Sequence, residues 1–380
     1  MKPHQLFFIL ALGLLSFFSL AGEPIVIGET LTIDSKVLTK PASIHIRLPS
    51  SYQALTHKRY PVYIDVGSDD DFPATAGTLH WLSHNQEYPV PEVILVSLTT
   101  ETAVRFIQRG VKSEDFVNFL EVDVIPYIDK NYRSQPFRIL TSSERFGQVP
   151  LYGLIHKPEL FQAHIAISPW VTDDSGLVGE FETFLKSQKK TFAFLWLSSG
   201  GEPRVASNYD KMISLLQQHA PKNLEWKSAQ FKNNTSMSQP LVSLPNALES
   251  LFADLVLAPD SNVVNAGAES IRSYYQQLSE NKYGYSVSAE NAIRDLGYAM
   301  LSKKEVKKAI EIFRANLRDY PNSPHVYYAL ASALKADNDL QAALPLQKTA
   351  YELASKQNNP YKDFYRQMYT KMETELSNNR

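Results

Sequence analysis

The run Ile139-Leu140-Thr141-Ser142-Ser143-Glu144-Arg145-Phe146-Gly147 sets two hydroxyls, a carboxylate and a guanidinium directly after an apolar stretch. A serine on a sharp strand-to-helix turn is the nucleophile geometry of acyl-transferring hydrolases. Small residues two before and two after it let the backbone bend and expose Oγ. Neither serine has that setting. Ser143 is flanked at those offsets by Thr141 and Arg145, Ser142 by Leu140 and Glu144, and Gly-x-Ser-x-Gly occurs nowhere in the chain. Activating a hydroxyl also needs an imidazole within hydrogen-bonding reach and with a pKa near the working pH. No histidine lies between His219 and His325.

Other groups capable of chemistry are few. Glu202 follows an apolar strand-like run and is a candidate acid, yet a carboxylate without its histidine orients nothing, so an exposed loop glutamate is expected. His80 and His84 form a pair better read as wall or surface histidines than as replacement bases, since geometry precedes pKa in naming a base. Asp69, Asp70 and Asp71 read as a solvated turn rather than a hard-cation site, which needs several converging oxygens. The chain has no cysteine, which excludes disulfides, thiolate metal sites and a cysteine nucleophile. No metal or cofactor is expected.

The flanks of residues 139–147 are more telling. Upstream stand Phe119-Leu120-Glu121-Val122-Asp123-Val124-Ile125-Pro126-Tyr127-Ile128-Asp129-Lys130-Asn131-Tyr132-Arg133 and Pro136-Phe137-Arg138; downstream come Leu151-Tyr152-Gly153-Leu154, Lys157-Pro158-Glu159-Leu160-Phe161 and Ala166-Ile167-Ser168-Pro169. This stretch resembles the esterase D family of α/β-hydrolases, which includes the ferric-enterobactin and salmochelin esterases. Where that family resembles Gly-His-Ser-x-Gly-Gly, this chain has Ser142, Ser143, Glu144, Phe146 and Gly147 in the matching places, so Glu144 stands at the nucleophile. Through Pro240-Leu241-Val242-Ser243-Leu244 the resemblance puts Ser236 at the histidine. It also turns the family's Leu-Asp-Gly-Asp-like loop into Val66-Gly67-Ser68-Asp69, whose backbone N–H groups remain candidate oxyanion donors. Gly67, Ser68, His80 and Arg145 are the expected pocket residues. With the glycines at Ser142 and Phe146 gone together with the serine, a relaxed turn at Glu144 is expected, its carboxylate stabilised at a helix N-terminus by about 0.3–1 kcal/mol. A carboxylate nucleophile is the sharper alternative.

The elements that would position these residues alternate. Apolar runs at 44–48, 62–66, 93–98, 138–140, 163–167 and 192–197 read as strands, with 224–229 a weaker seventh, and helical periodicity is clearest over 114–132. Such alternation predicts an α/β domain over residues 23–258, a mostly parallel sheet with helices on both faces, in agreement with the α/β-hydrolase fold that the resemblance implies. The first residues carry Lys2, an apolar run from Leu6 to Leu20 and a small-residue site at Ser19-Leu20-Ala21. They predict a secretory signal over 1–21, too short for a bilayer span, and hence a periplasmic or secreted protein with no membrane span after cleavage.

Beyond 258–262 the character changes to continuous helix. Residues 293–320 and 327–354 superpose at a period of 34, with Leu296 on Leu330, Gly297 on Ala331, Ala299 on Ala333 and Ala309 on Ala343. That period and those small residues resemble tetratricopeptide units, and two such units need flanking helices within 266–376 to cover their apolar faces. Tyr274, Tyr275, Tyr283, Tyr285, Tyr327 and Tyr328 are expected mainly as packing residues with wet hydroxyls. The formal net charge is −2 and no face concentrates Lys and Arg, so nucleic acid is not an expected partner. The expected function is that of a catalytically degraded esterase-like protein, a pseudoenzyme, binding a small ester-like ligand in the cleft or a protein or peptide at the helical repeats. The alternative is an active, siderophore-esterase-like carboxylic-ester hydrolase with non-standard active residues.

Overall fold

The structure is a computed structural model that describes residues 24–378 except 85–89, 109, 111, 173–174, 188–191, 202 and 236, together with the side chains of 203–207. The expected signal segment therefore lies outside the described residues. Eight strands form one sheet in the order β1-β2-β4-β3-β5-β6-β7-β8: β1 (Glu29–Ile33), β2 (Ala42–Arg47), β3 (Tyr60–Val66), β4 (Ile94–Leu98), β5 (Ser134–Ser143), β6 (Ala163–Ile167), β7 (Ala193–Gly200) and β8 (Leu224–Phe231). From β4 across to β8 every pairing is parallel, while β2 runs antiparallel to both β1 and β4. The central strands β3, β4 and β6 are buried at every position, as expected where helices cover both faces.

One face is covered by α2 (Thr100–Gln108), α3 (Ser113–Phe119), α4 (Ile125–Asn131), α5 (Gln148–His156), α6 (Leu177–Lys186) and α7 (Pro203–His219). The opposite face carries α1 (Asp71–His84) and α8 (Gln239–Leu251). The single helix expected over 114–132 is interrupted by a π-helical turn at Leu120–Val124. Pro126, which has no N–H to donate, follows immediately, and the widened turn carries the chain past it.

The C-terminal region is helical, with α9 (Asn262–Asn265), α10 (Ala268–Leu278), α11 (Glu290–Ser302), α12 (Val306–Asp319), α13 (Pro324–Ala336), α14 (Leu340–Lys356) and α15 (Lys362–Asn378). α11 and α13 begin and end 34 residues apart. At Gly297 a Cβ would stand 2.4 Å from the Phe313 ring, so α11 and α12 close on each other there. This region shares a core with the sheet: Ile271, Tyr275, Tyr283 and Ile293 are buried with Phe137, Leu251 and Phe252. Tyr274, Tyr275 and Tyr283 donate their hydroxyls to Asp254 O, Leu255 O and the Asp254 carboxylate at 2.9, 2.6 and 2.5 Å. They are joints between the two regions, and Tyr275 also lines a surface cavity with Tyr285 and Tyr320. Among the described residues, no helix is long and apolar enough to cross a membrane.

Candidate active site

At the carboxyl end of β5 the chain turns through a 3-10 segment, Glu144–Phe146, into α5. Ser143 is still extended, at φ −125° and ψ 160°, and Glu144 is left-handed at φ 50°. The expected relaxed turn is thus corrected: Glu144 is held in a strained, left-handed conformation. A non-glycine residue there stores about 1–3 kcal/mol. Tertiary contacts hold it. The Glu144 carbonyl accepts from Gly147 N at 3.0 Å and from Trp170 N at 2.9 Å. A Cβ on Gly147 would stand 2.7 Å from Pro169 Cα, so this glycine is required by close backbone approach. Phe146 packs against Phe116 at a centroid distance of 5.3 Å.

The two serines before Glu144 differ in their surroundings. Ser142 is buried and donates to Val66 O at 2.8 Å, which ties β5 to β3. Ser143 is half-buried and lines a small cavity of about 30 Å³ with Tyr63, Asp65, Asp71, Thr75 and Thr141. Arg145 is exposed, its guanidinium 6.0 Å from the Trp170 ring centroid.

The loop expected to supply oxyanion donors is engaged with Asp71 on one side and with Thr100 and His45 on the other. Ser68 donates both its N–H and its hydroxyl to one Asp71 oxygen, each at 2.8 Å. Packed beneath that carboxylate, Gly67 has room for no more than hydrogen, since a Cβ would meet the same oxygen at 2.8 Å. Asp69 N donates to Thr100 Oγ1 at 3.0 Å, and the Asp69 carboxylate takes Thr100 N at 3.0 Å and the His45 ring at 2.8 Å, contacts that hold its pKa below the ordinary range. Asp69 and Asp71 therefore fasten the loop. Among the described residues no cluster of three or more His, Cys, Asp or Glu side chains is placed to hold a metal ion.

The histidines are elsewhere. His80 sits nine residues into α1 from Asp71, about 13 Å along the axis. Its ring is 4.2 Å from that of His84 in a separate small cavity with Arg47 and Glu92. Burial, then His84 and Arg47, lower its pKa. His80 is thus no part of the wall around Glu144. His45 has its two ring nitrogens on Asp69 and Thr30. His164 is fully buried in β6 and pairs in register with Leu140; burial lowers its pKa to about 3 and keeps it neutral. The loops after β7 and β8 meet where Gly201 N donates to Asn234 O at 3.3 Å. Glu202 and Ser236 themselves lie outside the described residues.

Sequence reasoning missed Asp65. It sits on the same face of β3 as Tyr63, beneath α1 and α8, and is 5 % exposed. Burial first, and the neighbouring Asp71 second, push its carboxyl up to about 8, while the Thr75 hydroxyl, donating at 3.3 Å, acts the other way. The signal was a carboxylate inside an otherwise apolar strand.

The Putative esterase family matches residues 35–239, more than half of the chain. No curated protein matches the chain significantly. Among solved structures, an IroE-like serine hydrolase from Shewanella oneidensis is similar at 20 % identity, with a TM-score of 0.63, over 77 % of this chain and 99 % of that one. An uncharacterised protein from Capnocytophaga ochracea DSM 7271 aligns over 91 % of this chain and 99 % of its own at 17 % identity and a TM-score of 0.60. The siderophore hydrolase EstB from Aspergillus nidulans aligns over 62 % of this chain and 99 % of its own at 15 % identity and a TM-score of 0.50. At these identities the likeness concerns the fold.

Proposed function

The chain belongs to the Putative esterase family, and on that premise we propose that it binds an ester-type ligand, of the siderophore-ester class, at the carboxyl ends of β3 and β5 without turning it over by the serine route. The observation that carries this proposal is Glu144 at the left-handed elbow after β5, with the Ser68 N–H, on the loop after the paired strand β3, already given to Asp71. A carboxylate attacking an ester would form a mixed anhydride, and releasing it needs an activated water. Among the described residues no histidine side chain lines the cavity beside Ser143.

A second function is favoured by the family membership and by the fold likeness to a serine hydrolase, which speak for it more than for the first: ester hydrolysis with Glu144 as a non-standard active residue. The test is turnover of short-chain p-nitrophenyl esters by the purified full chain and by Glu144→Ala. Turnover that the substitution abolishes sinks the binding proposal. No turnover by either protein, with saturable quenching of tryptophan fluorescence by a catechol-siderophore ester, supports it. The 34-residue spacing of α11 and α13 supports a tetratricopeptide-like region at the C-terminus, and the composition of residues 1–21 supports export.

A further inference from the structure

A large cavity lies far from Glu144. It has a volume of about 950 Å³ and opens between the α/β domain and the C-terminal helices. One wall holds Lys58, just before β3, and Glu92, just before β4, so it sits at the amino ends of the parallel strands. The other holds Arg294 of α11, His325 of α13 and Lys356 at the end of α14.

Charge in this cleft is one-sided. Among the described residues that line it the one carboxylate, Glu92, is saturated: Oε1 accepts Ser51 N at 3.0 Å, and Oε2 accepts the Ser51 hydroxyl and Lys58 Nζ, the latter at 3.1 Å. Among the described residues the one ion pair of Arg294 is a 3.5 Å contact with Asp295, a carboxylate that is 69 % exposed and screened by water. Glu290, one turn back on α11, takes the Ser323 hydroxyl at 2.6 Å and also lies within electrostatic reach of Arg294. His325 Nδ1 and the Tyr365 hydroxyl share a hydrogen bond at 2.6 Å. Lys356 is exposed at the mouth. The remaining lining includes the amides Asn291 and Asn358, which can satisfy both the N–H and the C=O of an extended main chain. A single small anion would leave most of this volume empty.

We propose that this cleft binds an acidic peptide segment, with Arg294 and Lys356 taking its carboxylates. The surface is at the opposite end of the strands from Glu144, so its occupancy is independent of any ester chemistry. The experiment is fluorescence anisotropy of fluorescein-labelled hexaglutamate titrated with the full chain, beside labelled hexalysine. The expected result is saturable binding of hexaglutamate alone, weaker at higher salt, and weakened about tenfold or more by Arg294→Gln and by Lys356→Glu. Lys356 is exposed, so its variant decides the matter should Arg294→Gln fail to fold. Absence of saturable hexaglutamate binding, or binding undiminished by Lys356→Glu, would each overturn the proposal.

Discussion

Replacing Asp65 by asparagine should change how stability depends on pH. In the folded chain the carboxyl titrates near 8 because burial, and then Asp71, disfavour its charge; in the unfolded chain it titrates near 4. Between those values the folded state holds a proton that the unfolded state has released, so the free energy of unfolding falls as pH rises. The contribution is fully present below about pH 4 and lost by about pH 8, at a limiting slope of about 1.4 kcal/mol per pH unit. Over the whole window that amounts to at most about 6 kcal/mol. The amide that replaces the carboxyl is neutral throughout, so Asp65→Asn preserves the shape and a partner for Thr75 while removing the slope. Urea unfolding of both proteins at pH 5 and pH 8, compared at equal m, isolates the difference, because every other titrating group is shared. The variant should gain relative to the parent between the two pH values. Parallel pH profiles would refute the buried, proton-holding carboxyl.

Two further outcomes follow from the contacts. Gly147→Ala forces a Cβ to within 2.7 Å of Pro169 Cα, a backbone neighbour that cannot rotate away; a loss of about 1–3 kcal/mol is expected, and an unchanged thermal midpoint would mean the elbow is not held by that contact. Lys282→Met removes the cation that sits 2.9 Å from Glu225 and 2.7 Å from Asp254 with its own side chain 7 % exposed. With the two acids at 33 % and 24 % exposure, the loss is discounted from a fully buried pair to about 2–3 kcal/mol, and hydrogen exchange should quicken first in α10; protection unaltered there would detach this network from the joint between the regions.

Much of the fold was legible because it rests on local patterns. The strands from β2 to β7 announce themselves as apolar runs, β8 only weakly, and the two helices α11 and α13 follow the 34-residue offset of their small residues. β1 escaped because Glu29-Thr30-Leu31-Thr32-Ile33 is an edge strand with one fully buried residue, too polar to read as a strand. The site was legible in position and less so in geometry. That β5 ends near Ser143 and turns at Glu144 can be read from the run itself. That the turn is left-handed cannot, because Pro169 and Trp170, more than twenty residues on, impose it. The acidic triplet drew the eye away from Asp65, though two of its members fasten a loop and Asp65 is the carboxylate buried under it.

The strain at Glu144 is therefore weak support for catalysis. Backbone outliers gather at active sites when chemistry needs them, but here the same φ is accompanied by two hydrogen bonds to the Glu144 carbonyl and one glycine–proline contact, which hold it without reference to any reaction. The Ser68 N–H discriminates better. An oxyanion hole acts through donors that are free when charge develops, and this one already makes a 2.8 Å bond to a carboxylate, of a kind worth about 1.5–3 kcal/mol. A tetrahedral oxyanion arriving there would have to displace Asp71 and would meet its negative charge on the way. A neutral ester carbonyl, bound without reaction, develops no such charge and leaves the Ser68–Asp71 bond intact.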